Sequence, residues 1–129
     1  MQMENYKGGF QTLEVWKQAK IFRTRIGEDC KAFPKEEKYL LTSQLRDSSR
    51  FVTANIAEGY GRFNYQETIQ FFRQSRGSAN ESLDHLTCAL DEGYISRQTL
   101  KDRESQYEKV FKLINGYISF LQKSKNSIR

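Results

Sequence analysis

Apolar side chains recur at spacings of four and three in four successive segments, and this rhythm limits the chain to helices that bury one face. In the first segment the stripe is Val15, Ala19, Phe22 and Ile26. In the second it is Leu41, Leu45, Ser48, Val52 and Ile56. The third carries Ile69, Phe72, Arg76, Ala79, Leu83, Leu86 and Leu90. The fourth carries Leu100, Tyr107, Phe111, Ile114, Ile118 and Leu121. No alternating run bounded by turn pairs competes for a strand. The expected fold is all-α, an antiparallel up-and-down four-helix bundle, because short connections make consecutive helices antiparallel neighbours.

The breaks between segments have the expected chemistry. Phe33-Pro34 ends the first helix, and proline suits the first turn of the next. Glu36 and Glu37 place negative charge near the second helix's N-terminus. Gly59 and Gly61 read as a helix stop, as does Gly93. Asn64, with Glu67 three residues on, forms a capping pair, and Ser96 caps the last helix. Helices are thus expected at about 13–32, 35–60, 65–92 and 96–123, with the terminal KSKNSIR fraying. We expect one domain over residues 1–129, since 129 residues suit a single core and no linker or repeat interrupts them.

Composition excludes several function classes. Charged residues make up 29% of the chain and hydrophobic residues 37%, as in a folded, solvated protein. No run of about 18 apolar residues exists to span a membrane. The start, MQMENYKGGF, carries no signal-peptide apolar region, so a cytoplasmic location is the expectation. Cys30 and Cys88 stand alone and read as reduced structural thiols. The single histidine, His85, has no imidazole partner for a metal site. No nucleophile–base pair, phosphate loop or metal motif is present, so we expect no catalytic residues, no metal and no cofactor, and no enzyme.

Net charge is +5, unevenly placed. Residues 1–35 carry net +3, residues 36–63 net 0, residues 64–95 net −3 and residues 96–129 net +5. In an up-and-down bundle the first and last helices are neighbours. Lys17, Lys20, Arg23 and Lys31 are therefore expected to share a basic face with Lys101, Lys112, Lys123 and Lys125. Such a face binds RNA or DNA backbone. The alternatives are an ordinary solvated surface, or a protein-interaction scaffold with a protein partner.

Two further sets stand out. Helix 4 carries Val110, Leu113, Tyr117 and Phe120 beside its stripe, so its apolar arc covers roughly half the circumference, against about 100° for a surface helix. Helix 3 carries a second line of Phe71, Ser75, Ser78, Ser82 and Ala89, whose small side chains let another helix approach closely. These two lines read either as a wide internal core or as a homo-oligomer interface. Arg76, with Glu81, and Gln44, Asn55 and Glu58 lie on or beside inner faces, and buried charge must be paired. They are expected to form an internal polar network between helices 2 and 3, with Arg76 bridging carboxylates. The alternative is a ligand contact at a bundle end.

Several motifs in order resemble one family. They are Phe10-x-x-Leu13-x-Val15-Trp16-x-x-Ala19, Phe33-Pro34-x-x-Glu37, Leu41-Thr42-Ser43-Gln44-Leu45-Arg46, Asn55-Ile56-Ala57-Glu58-Gly59 with Arg62, and Arg76-Gly77-Ser78-x-x-Glu81. Over residues 10–122 the chain resembles the four-helix-bundle proteins encoded in 23S rRNA intervening sequences. That family is similar to the accessory variability proteins of diversity-generating retroelements. The resemblance implies a bacterial cytoplasmic bundle assembling as a ring-like homopentamer. In the retroelement relatives a basic pentamer binds nucleic acid and a reverse transcriptase. The chain departs from the pattern at Asp47-Ser48, where Arg-Ala is usual, and at Phe51, where a small residue is usual. The lost arginine argues against phosphate binding by helix 2.

Overall fold

The computed structural model describes residues 8–127, with side chains to residue 125. The polar N-terminal residues 1–7 and the last two residues of KSKNSIR lie outside that range. Four helices follow one another: α1 (Glu14–Cys30), α2 (Leu41–Tyr60), α3 (Tyr65–Asp91) and α4 (Arg97–Ser127). Each packs against two others, α1 on α2 and α4, α3 on α2 and α4, with no diagonal contact. The four-helix bundle expected from the periodicity is thus the observed fold. Among the described residues no strand occurs, and no helix is long and apolar enough to cross a membrane.

The helix ends follow local chemistry with two exceptions. Asn64 Oδ1 accepts the Glu67 N–H at 2.8 Å, and Ser96 Oγ accepts the Thr99 N–H at 3.1 Å, so both expected caps form. Gly93 takes φ +78°, a left-handed conformation suited to glycine, and Tyr94 N–H reaches back to the Ala89 carbonyl at 2.8 Å. The second helix does not start at residue 35. Pro34 is extended, Lys35–Glu37 form one 3-10 turn, and α2 begins only at Leu41. The Glu37 carboxylate explains the offset. It accepts the Leu41 N–H at 3.3 Å and the Tyr94 hydroxyl at 2.9 Å, so the turn is tied to α2 and to the α3–α4 connection. The last helix also runs on to Ser127, past its expected end at 123.

The stripes of α1 and α2 are buried at every predicted position. On α3 the pattern holds at Ile69, Phe72, Ala79 and Leu86, while Arg76, Leu83 and Leu90 are only half-buried. On α4 the buried line runs Arg103, Val110, Ile114, Ile118 and Leu121, leaving Leu100, Tyr107 and Phe111 half-buried.

The second line on α3 meets a helix of the same chain. Ser75 Oγ donates to the Val52 carbonyl at 2.6 Å, and the Ser48 and Ser82 hydroxyls share a bond of 2.8 Å. Thr68 Oγ1 donates to the Gly59 carbonyl at 2.9 Å. Small side chains let α2 and α3 approach until hydroxyls reach across. Gly59 is the tightest point: a Cβ there would sit 2.8 Å from the Phe71 Cβ. Gly59 is therefore a close-approach residue in the last turn of α2, and of the expected glycine pair it is Gly61 that caps the helix after Tyr60. Ser75, Ser82 and Val110 are wholly buried within one chain, so they cannot form a subunit interface. Ser78 and Phe71 are half-buried along the same seam.

Candidate functional site

The expected polar network does not form. Gln44, Glu58 and Glu81 are exposed and Asn55 is half-buried. Glu58 faces Arg62 at 3.8 Å, and Glu81 faces His85 at 3.2 Å, each one turn along its own helix. Arg76 donates to Asn115 Oδ1 on α4 at 2.7 Å, across a different seam. Hydroxyls, which need no charge partner, satisfy the α2–α3 interface instead.

The buried charge pair lies between α1 and α4. Arg103 holds Asp29 through two hydrogen bonds of 2.7 and 2.9 Å, with side-chain exposures of 11% and 10%. The two residues are 74 positions apart, and no local spacing marks them. This bidentate geometry offsets the desolvation of both ions.

On the α2 side of α1, cations gather without acids. Trp16, Lys20, Arg23 and Gly27 are spaced four, three and four along α1, so they share its flank toward α2. Arg46, Arg50, Thr53 and Ala57 line the facing flank of α2. Arg23 Nη1 donates to Thr53 Oγ1 at 2.9 Å, and Arg46 Nη2 to the Gly27 carbonyl at 3.4 Å. A groove of about 250 Å³ between the helices is lined by Phe10, Trp16, Arg23, Arg50, Thr53, Ala54 and Ala57. A second open concavity, about 580 Å³, lies on the outer face of α1 against Gln11, Trp16, Lys17, Lys20, Ile21, Thr24 and Arg25. Trp16 borders both; its ring meets Phe10 edge-on at 5.3 Å, and the Lys20 ammonium lies 5.5 Å from its centre. Among the described residues no carboxylate lines either concavity.

The α4 side of α1 differs. Grooves of about 300 and 400 Å³ there are both lined by Glu14 and Lys112. The eight cations expected on one α1–α4 face are dispersed. Lys17, Lys20 and Arg23 border the Trp16 concavities. Lys31 is 3.1 Å from Glu28, Lys112 faces Glu14's groove, and Lys125 donates to Gln66 of α3 at 2.7 Å. Lys101 and Lys123 are exposed elsewhere along α4. Sequence reading missed Arg25 and Arg50. The four-residue step from Arg46 to Arg50 was the available signal, but the neighbouring Asp47 masked it by cancelling charge in the sum.

Of the association set, Leu113 and Tyr117 are half-buried and Phe120 is 62% exposed. Tyr117 stacks on Phe72 with ring centres 4.6 Å apart, which turns most of its face inward.

Reactive groups are few. Burial pushes the Cys30 thiol up to about 11, against opposing fields from Arg46 and Arg50, so it stays protonated and unreactive near neutrality. Cys88 is exposed. Among the described residues no three His, Cys, Asp or Glu side chains come together to hold a metal ion.

The model of the 23S rRNA-intervening sequence protein family matches residues 11–116. The chain belongs to that family. The match spans α1, α2, α3 and the greater part of α4, and so includes the lining of both Trp16 concavities except Phe10. A crystal structure of a protein of unknown function, from the S23 ribosomal protein family of Bacteroides thetaiotaomicron, is similar in fold. The TM-score is 0.74 at 23% identity, over 81% of this chain and 97% of that one. No curated protein matches the chain. At that identity the likeness carries the bundle architecture and nothing about a ligand.

Proposed function

We propose that this family member is a non-catalytic protein that binds the phosphate backbone of nucleic acid along the α1–α2 groove and the adjoining outer face of α1. One observation carries the reading: the two concavities that meet at Trp16 are bordered by Lys17, Lys20, Arg23, Arg25 and Arg50 and, among the described residues, by no carboxylate. Backbone binding asks for clustered cations and little else. Arginine adds a planar fork that matches a phosphate bidentately. The family's description refers to an intervening sequence of 23S rRNA, which makes RNA the first probe. Five phosphate contacts on a single strand give a salt slope near −3.5, or about a 100-fold loss of affinity between roughly 50 and 200 mM salt. Fluorescence anisotropy with a labelled oligoribonucleotide measures it. Affinity that does not change across that series overturns the reading.

A second reading concerns association. With Ser75, Ser82 and Val110 inside the chain, the strip left on α4 is Leu113, Gly116, Tyr117 and Phe120, which with Leu13 and Val15 lines a groove of about 300 Å³. In our reading a second copy covers this strip. Phe120→Asp is then expected to lower the sedimentation mass at micromolar concentration. A wild-type mass equal to one 15.2 kDa chain removes the basis for this reading.

A further inference from the structure

We propose that the connection between α2 and α3 captures an unpaired base, so that the ligand of the α1–α2 face is single-stranded nucleic acid and not duplex. This rests on the backbone-binding reading above and adds the class of strand.

Phe63 is the most exposed large apolar side chain among the described residues, at 104% of its reference area. A phenyl ring left in water has no packing reason to be there. Its surroundings differ from those of the other exposed phenylalanine on this end of the bundle. Phe120 sits over an apolar groove of Leu13, Val15 and Leu113 with Glu14 and Lys112 of opposite charge at its rim, which suits a protein surface. Phe63 instead borders an open concavity of about 450 Å³ with Asn64, Tyr65, Gln66 and Lys125. That lining offers aromatic faces, two amides and an ammonium, and among the described residues no carboxylate.

Those groups match what an unstacked nucleotide presents. The rings of Phe63 and Tyr65 supply stacking surface, which every base can use. Asn64 spends its carbonyl oxygen on capping α3, leaving its amide N–H groups as donors. Lys125 gives one hydrogen bond to Gln66 and keeps two donors for a phosphate. Arg62 lies with its guanidinium 4.7 Å from the Phe71 ring centre, beside the loop, where Glu58 faces it at 3.8 Å.

Position links this loop to the basic face. Ala57 floors the groove that Arg23 and Arg50 border. Tyr60, three residues on, is the last residue of α2 and is itself exposed. The Phe63 concavity, shared with Gln66 of α3 and Lys125 of α4, opens on the α3 and α4 side of this end, so a strand held by Arg50 and Arg23 reaches it by passing over the end of α2 at Tyr60. A duplex keeps its bases stacked inside and offers none to Phe63.

The experiment uses the full chain with three labelled probes: a single-stranded oligoribonucleotide, the same strand with abasic sites, and its duplex. Phe63→Ala is expected to weaken the intact single strand by about tenfold. It should leave the abasic strand, the duplex and the salt slope unchanged. Phe63→Tyr should restore the loss. Because Phe63 touches no core residue, the Ala variant should keep the wild-type melting curve. Equal affinity of wild type and Phe63→Ala for the intact single strand overturns the inference while leaving backbone binding in place. So does a loss of the same size on the duplex. No binding of any probe by the wild type overturns both.

Discussion

The two flanks of α1 solve opposite problems with similar residues. Toward α4, charge is offset: Asp29 and Arg103 close on each other out of water, and Glu14 lines the same groove as Lys112. Toward α2 and on the adjoining outer face of α1, charge is left over: Arg23 and Arg46 spend single hydrogen bonds on neutral oxygens, and among the described residues Arg50, Lys17 and Lys20 meet no acid in the concavities they line. A buried ion must be paired for the fold to stand. An exposed one need not be, and the surplus is available to an outside anion. The α4 flank is therefore expected to control stability and the α2 flank binding.

The strongest way to break that contrast is at the ion pair. Asp29→Ala should cost about 3–5 kcal/mol in urea unfolding, because it leaves the Arg103 guanidinium buried without a counter-charge, with only the Gln106 side-chain carbonyl oxygen beside it. Nucleic-acid affinity of the remaining folded protein should not move. Replacing both partners with apolar residues of similar volume should recover most of the loss. A cost below about 1 kcal/mol for the single variant would show that the α4 flank does not need its charges.

Next in size is the α2 flank. Arg23→Glu with Arg50→Glu should weaken oligoribonucleotide binding by about 10–100-fold at low salt. Its stability cost should be only about 1 kcal/mol, from the lost Arg23–Thr53 hydrogen bond. Equal losses of stability and binding would erase the division between flanks.

The Cys30 thiol senses the basic flank from inside. Its native value of about 11 stands above the ordinary 9.0, set first by burial and lowered partly by Arg46 and Arg50. An unfolded thiol therefore loses its proton before the native one does. Its contribution is fully present below pH 9 and disappears as pH rises to 11, by up to about 1.4 kcal/mol per pH unit. Cys30→Ala should flatten that limb of the stability–pH curve. Arg50→Glu should shift it upward, since a cation that favours the thiolate is gone.

The smallest effect is the control. Lys109→Glu with Lys112→Glu changes as much charge as the Arg23 and Arg50 pair, but on the side where Glu14 already offsets it. Binding should change less than about twofold after screening. A loss equal to that of the arginine pair would return the interface to the α1–α4 face read from the sequence.

Much of the fold was legible because helix formation and burial repeat locally. Val15 to Ile26 and Leu41 to Ile56 mark their inward faces within a few turns, whatever lies opposite. Asn64, Ser96 and Gly93 mark ends by bonds to neighbours three to five residues away. The start of α2 was not legible, because Glu37 acts through Tyr94, 57 positions on.

What only the tertiary structure decided concerns sides. The sequence states that Ser75 and Ser82 form a close-approach line, but not that α2 of the same chain fills it. It places Arg76 on an inner face, but not that Asn115 answers it. It counts the cations of α1, but not which flank their neighbours leave unopposed. Periodicity follows from the geometry of a single helix, which each segment carries in its own residues. Pairing across helices depends on which flanks meet and how closely, and small residues such as Gly59 set that distance only once the bundle has closed.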